Sequence, residues 1–207
     1  MNQSKRYLAL GDSYTIGEGV APESNFPSQL VQLLAEQEVQ FEKPEIIAVT
    51  GWTTDELNAG IDERQPKGPY DLVTLLIGVN NQYRNRTVAD YKPEFEALLD
   101  RVIGFAGGDY RKVVVLSIPD WGHTPFAQEK GVDAAAVAQE IAAYNEAKQE
   151  ITLSKGVKFL DITPLTKQLA ASDIEKYLVE DKLHYSAAIY EEWAMCLLPL
   201  AMRLVNF

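Results

Sequence analysis

Five short runs of apolar and β-branched residues punctuate the chain: Arg6–Leu10, Glu45–Val49, Leu72–Ile77, Lys112–Ser117 and Lys158–Leu160, each bounded by turn or polar residues. Continuous apolar runs of this length predict strands buried on both faces. Between them the period lengthens, predicting helices over Phe26–Glu38, Thr54–Ile61, Val88–Phe105 and Ala134–Leu153, with Ser186–Val205 closing the chain. In Val88–Phe105 the residues Phe95, Leu98, Leu99, Val102 and Ile103 recur at the three-to-four spacing of one buried helix face. Strands alternating with helical crossovers predict an α/β fold: a doubly wound, flavodoxin-like parallel sheet covered on both sides. No repeat or low-complexity segment interrupts the pattern.

That fold turns sequence order into geometry. Every strand followed by a crossover helix points its C-terminal end to one edge of the sheet, where open α/β sheets bind their ligands. Ser13 follows the first strand, Gly51 the second and Asn80 the third, so three separated segments converge on that edge. A serine, a glycine that permits close approach and a side-chain amide are the parts an acyl-transfer site needs.

Composition narrows the picture. A length of 207 residues, 46% of them hydrophobic, suits one core, and no composition break divides residues 1–207, so a single domain is expected. Thirty acidic residues against 19 basic ones give a formal charge of −11, which repels nucleic acid and anionic membrane surfaces. The longest apolar stretch, Ala194 to Met202, contains Pro199 and falls well short of the roughly 18 residues that span a bilayer, so no stable membrane insertion is expected. The first six residues run into the first strand without an apolar signal segment, and a cytoplasmic location is expected. Cys196, the single cysteine, lies in an apolar helical segment and reads as a small buried hydrophobe. Composition sets no oligomeric state.

The candidate chemistry centres on Ser13, within Leu8-Ala9-Leu10-Gly11-Asp12-Ser13-Tyr14-Thr15. A hydroxyl at a strand-to-helix junction projects from the sheet edge, with the following amides turned toward it as donors for a developing oxyanion. Ser or Asp after a strand also serves as a helix N-cap, which is the competing reading of this segment. Asp12, adjacent to Ser13, points away from it and reads as an acceptor that fixes the loop.

A serine nucleophile needs a base, and the chain has two histidines. In Asp181-Lys182-Leu183-His184 the three-residue spacing on a turn brings the carboxylate beside the imidazole, holding one ring nitrogen protonated and leaving the other for Ser13. The alternative is a surface turn closed by a salt bridge. His123 also has an aspartate, Asp120, three residues upstream, but its Gly- and Pro-rich setting suggests a loop that lines the substrate cleft. Nothing with metal-ligand spacing, no Walker lysine and no dinucleotide glycine motif is present, so no metal and no cofactor is implied. The Gly-x-Ser-x-Gly elbow is absent too, since Thr15 stands two residues beyond Ser13.

Gly11-Asp12-Ser13 after the first strand, the glycine of Thr50-Gly51-Trp52, Gly78-Val79-Asn80 and Asp181 through His184 together resemble the four blocks of the SGNH (GDSL-type) hydrolases, in order and across nearly the whole chain. The resemblance implies a three-layer α/β/α fold with a five-stranded parallel sheet. It implies Ser13 as nucleophile, Asp181 and His184 completing a triad, and an oxyanion hole formed by the Ser13 and Gly51 amides and the Asn80 side chain. The sequence departs from the family pattern at Tyr14, where leucine is usual, and at Asn81, where aspartate often stands.

The expected reaction is hydrolysis of a small-molecule carboxylic ester through an acyl-serine intermediate, favouring short acyl groups because no long insertion builds a lid. Trp52, Tyr83, Trp121 and His123 are the candidate substrate-binding residues, with Phe126 in a neighbouring segment, and core anchoring is the competing role for the aromatics. Arg84 and Arg86 form a local positive spot that could meet a phosphate or carboxylate, or simply a solvated charge pair. A lysophospholipase or thioesterase acting on longer chains is the alternative enzyme. A non-catalytic carbohydrate- or lipid-binding domain is the alternative of another class.

Overall fold

The computed structural model describes residues 4–205; the first three residues, on which the reading of the N-terminal segment partly rests, lie outside them. Five strands form one sheet: β1 (Tyr7–Gly11), β2 (Glu45–Ala48), β3 (Leu72–Leu76), β4 (Val113–Leu116) and β5 (Lys158–Leu160). Their order is β2-β1-β3-β4-β5, and every ladder is parallel. Every residue of β1, β3 and β4 is buried, which is why these segments read as continuous apolar runs and not as alternating ones.

The helices are α1 (Ser13–Ile16), α2 (Phe26–Glu36), α3 (Thr54–Arg64), α4 (Val79–Tyr83), α5 (Val88–Phe105), α6 (Pro125–Glu129), α7 (Ala134–Ser154), α8 (Thr163–Ser172), α9 (Ile174–Tyr177) and α10 (Ala187–Val205). On one side α2 packs against α10; on the other, α5 packs against both α3 and α7. Local chemistry sets their starts. Asn25, Thr87 and Asp133 accept from the first-turn amides of α2, α5 and α7, satisfying donors that a helix leaves unpaired. In α5 the predicted stripe is buried at Phe95, Leu98, Leu99 and Val102, joined by Tyr91, while Ile103 is only half-buried.

Several expectations shift in detail; the helix expected over Phe26–Glu38, for one, ends at Glu36. Thr54–Ile61 extends to Arg64, because Gln65 takes up a left-handed conformation and its amide closes on Ile61 only there. Cys196 is half-buried rather than buried, and burial together with the Glu192 charge pushes its thiol above the ordinary range. No helix among the described residues is long and apolar enough to cross a membrane.

Candidate active site

Ser13 is the first residue of α1, directly beyond β1. The capping role weighed for this segment falls to Asp12, whose Oδ1 accepts from the Tyr14 amide at 3.1 Å. Ser13 Oγ is therefore not engaged in holding the helix start, and it lines a cavity of about 180 Å³ at the C-terminal edge of the sheet. Asp12 itself is fully buried; burial pushes its carboxyl up to about 7 against the pull of the Tyr14 amide and the Lys148 charge.

Gly51 and Asn80 line the same cavity. Gly51 has φ +86°, a left-handed conformation that glycine adopts without penalty. Arg84 Nη2 donates to the Gly51 carbonyl at 2.6 Å, and Arg84 Nη1 donates to Glu56 Oε1 at 3.0 Å. Thr50 is tied to Glu18 by a short hydrogen bond, which joins the loop after β2 to the loop after α1. Among the described residues, the amides of Ser13 and Gly51 have no acceptor.

Asn80 enters through an unusual backbone turn. Gly78 precedes α4 with φ +127°, and an added Cβ there would meet Ile118 at 2.8 Å and the Tyr91 hydroxyl at 3.0 Å. One N–H of Asn80 Nδ2 donates to the Trp52 carbonyl at 2.9 Å, which fixes the carboxamide plane and leaves its second N–H available. Asn81, the departure from the family pattern, has a defined job. It is fully buried, accepts from the Thr54 amide at 3.1 Å and donates to the Thr54 hydroxyl at 2.8 Å, pinning α4 to the start of α3.

His184 lines the cavity from the loop before α10. That loop is an irregular turn, with Lys182 at φ +59°, closed by the Leu178–Tyr185 bridge and by the Val179 amide donating to the His184 carbonyl at 3.0 Å. Asp181 Oδ1 accepts from the amides of Leu183 (2.8 Å) and His184 (2.9 Å), and Asp181 Oδ2 lies 2.5 Å from His184 Nδ1. Burial opposes ionisation of Asp181, but the His184 ring and these two amides hold its carboxyl below the ordinary value. With Nδ1 turned to the carboxylate, Nε2 is the nitrogen left for a substrate or nucleophile. No hydrogen bond joins Ser13 to His184 among the described residues; both line the same cavity.

Tyr83 and Trp121 line the cavity, their rings meeting edge-on with centroids 5.3 Å apart. Trp52 and His123 do not, and the expectation that they line the cleft is corrected. The Trp52 ring lies over Gly60 of α3, where a Cβ would come within 2.2 Å of it, and only its carbonyl serves the site, through Asn80. His123 Nδ1 lies 3.7 Å from Asp120 Oδ2, and both of its ring nitrogens are buried without a hydrogen-bond partner among the described residues. Phe126 packs behind Trp121, ring centroids 6.4 Å apart. Arg84 and Arg86 are not a free positive spot: Arg84 is held as above, and Arg86 Nη1 pairs with Asp55 at 2.6 Å.

Sequence reasoning missed Tyr14, Thr50, Val79 and Leu183 as lining residues. Each adjoins a residue that the sequence did single out, and that adjacency was the available signal. Tyr14 also supports the imidazole, its ring centroid 5.9 Å from that of His184 in an edge-on arrangement.

The GDSL-like lipase/acylhydrolase family model matches residues 9–192 of the chain. No curated protein matches it in sequence. Among solved structures, it is similar to the lipase/acylhydrolase from Enterococcus faecalis (TM-score 0.69, 19% identity, 96% of each chain covered). It is similar to the psychrotrophic esterase EstA from Pseudoalteromonas sp. (TM-score 0.70, 12% identity, 99% of this chain and 100% of the other). A third is Axe2, an acetylxylan esterase from Geobacillus stearothermophilus (TM-score 0.66, 18% identity, 98% and 94% covered).

Proposed function

The chain belongs to the GDSL-like lipase/acylhydrolase family and is a carboxylic ester hydrolase, and from that premise we propose that it cleaves short-chain acyl esters through an acyl-enzyme on Ser13. The observation that carries this reading is the single cavity shared by Ser13, Gly51, Asn80 and His184, with Asp181 2.5 Å behind the imidazole.

In the first half-reaction Ser13 Oγ attacks the ester carbonyl carbon while its proton passes to His184 Nε2. Asp181 holds Nδ1–H and stabilises the imidazolium without taking the proton. The carbonyl oxygen gains the negative charge and is met by the amides of Ser13 and Gly51 and the free N–H of Asn80, neutral donors aimed where charge appears only in the transition state. As the intermediate collapses, His184 returns its proton to the departing alkoxide and an alcohol leaves. Water then attacks the acyl-serine by the same steps, releasing the carboxylic acid and restoring Ser13.

Size supports short acyl groups. At about 180 Å³ the cavity is below the roughly 300–1,000 Å³ of pockets that enclose drug-sized ligands. A more open crevice of about 300 Å³ shares Tyr83 and Trp121 with it and offers room for the leaving alcohol. A p-nitrophenyl ester series from acetate to dodecanoate tests this: kcat/KM is expected to peak at two to four carbons, about the length the cavity holds. A maximum at eight carbons or more would overturn the short-chain assignment and favour a lysophospholipase or thioesterase.

A further inference from the structure

Beneath the site lies a buried basic side chain that the reaction does not use. Lys148, from α7, is fully buried, and its Nζ donates to the Ile77 carbonyl at 3.1 Å. Nζ also lies 5.7 Å from the centre of the Phe95 ring. The Tyr91 hydroxyl donates to the same carbonyl at 3.3 Å. Removing an ammonium from water costs several kcal/mol, and space alone could be filled by methionine at no such cost. The counter-charge is Asp12, also fully buried, whose Oδ2 has no hydrogen-bond partner among the described residues. Burial pulls the Lys148 amine down to about 7 and the Asp12 charge acts against that pull; neutral or charged, the amine keeps an N–H for Ile77.

The Ile77 carbonyl belongs to the peptide that leads into Gly78, where the chain takes φ +127° and turns into α4 to deliver Asn80. We propose that Lys148 is a positioning residue for the oxyanion donor: by holding the Ile77 carbonyl together with Tyr91, it fixes the peptide plane from which the Gly78 turn and Asn80 extend. The inference rests on the reading of Asn80 as that donor. Lys148 reaches the peptide that follows β3 from α7, 71 residues away in sequence, so it ties α7 to the segment that leads into α4 and Asn80.

The test is a double-mutant cycle on a short-chain ester, read as kcat and KM separately. Lys148→Met is expected to lower kcat about tenfold with KM within about twofold, the signature of a misplaced transition-state contact. In an Asn80→Ala background the same substitution should change kcat less than about twofold, because the donor it places is already gone. Retained kcat in Lys148→Met, or the full tenfold loss repeated in the Asn80→Ala background, overturns the inference while leaving Asn80 untouched. Asn80→Ala alone checks the underlying reading: kcat should fall by roughly 10²–10³, and a near-normal value would remove the oxyanion role and this inference with it. If Lys148→Met fails to melt cooperatively, Tyr91→Phe deletes only the second bond to Ile77. It should cost about threefold in kcat, again only where Asn80 is present, and an unchanged kcat would overturn the proposal.

Discussion

Arg84 Nη2 closes on the Gly51 carbonyl at 2.6 Å across 33 residues of sequence, so a guanidinium from the end of α4 clamps the glycine loop that follows β2. Its other terminal nitrogen is anchored by Glu56 at 3.0 Å. The clamp holds the Gly51–Trp52 peptide of the loop that carries the Gly51 amide. Because the Arg84 side chain is 44% exposed, water can replace part of what it supplies, and the expected cost is modest. Arg84→Met should lower kcat by about three- to tenfold with little change in KM, in line with about 1 kcal/mol for one such hydrogen bond. An unchanged kcat in steady-state assays would reduce Arg84 to a surface ion pair.

The two histidines should separate cleanly. His184→Ala is expected to remove nearly all turnover, since a triad loses on the order of 10⁴–10⁶ in kcat when a member acting as the base is deleted. His123→Ala should leave kcat within about twofold and show itself in thermal melting, because the ring is packed against Asp120 and away from the cavity. Exchanged phenotypes would move the base to the loop after β4.

Asp120 is expected to contribute to the acid dependence of stability. Its side chain is nearly buried; burial opposes the charge, but His123, Lys167 Nζ at 2.8 Å and the Gly122 amide at 3.0 Å hold the carboxyl down to about 2, below its ordinary 3.8. A depressed native value means that the unfolded chain binds the proton more readily, so this contribution is present above about pH 4 and fades as pH falls toward 2. After solvent screening at Lys167 it amounts to about 1–2 kcal/mol. Asp120→Asn should be destabilised by that much in urea melts at pH 7, and the gap to the parent protein should close near pH 2. A gap independent of pH would assign the loss to packing.

The strands and the longer helices are legible because they bury continuous or periodic apolar runs. The helix Val88–Phe105 is read to its bounds, since Thr87 caps it and its stripe faces the sheet. What escapes are α4, α6, α8 and α9, four to ten residues long: in α8 only Thr166 and Ala170 are buried, so no apolar period marks it. The site splits the same way. Ser13, Gly51 and Asn80 stand directly after strands, so their meeting at one edge follows from topology. The orientation of the Trp52 ring, the clamp at Arg84 and the burial of Lys148 depend on contacts between distant segments. Lys148 in particular sits in a helix whose neighbours Glu146 and Glu150 suggest a solvated face, and nothing local marks it as buried.

The central claim is that Ser13 carries the acyl group, and trapping that intermediate tests it most directly. The protein is treated with a fluorophosphonate, digested, and the modified peptide sequenced by mass spectrometry, alongside Ser13→Ala. The account predicts one adduct, on Ser13, and a variant that melts like the parent but has lost on the order of 10⁶ in kcat. An adduct on any other serine, or esterase turnover surviving in Ser13→Ala, would contradict it.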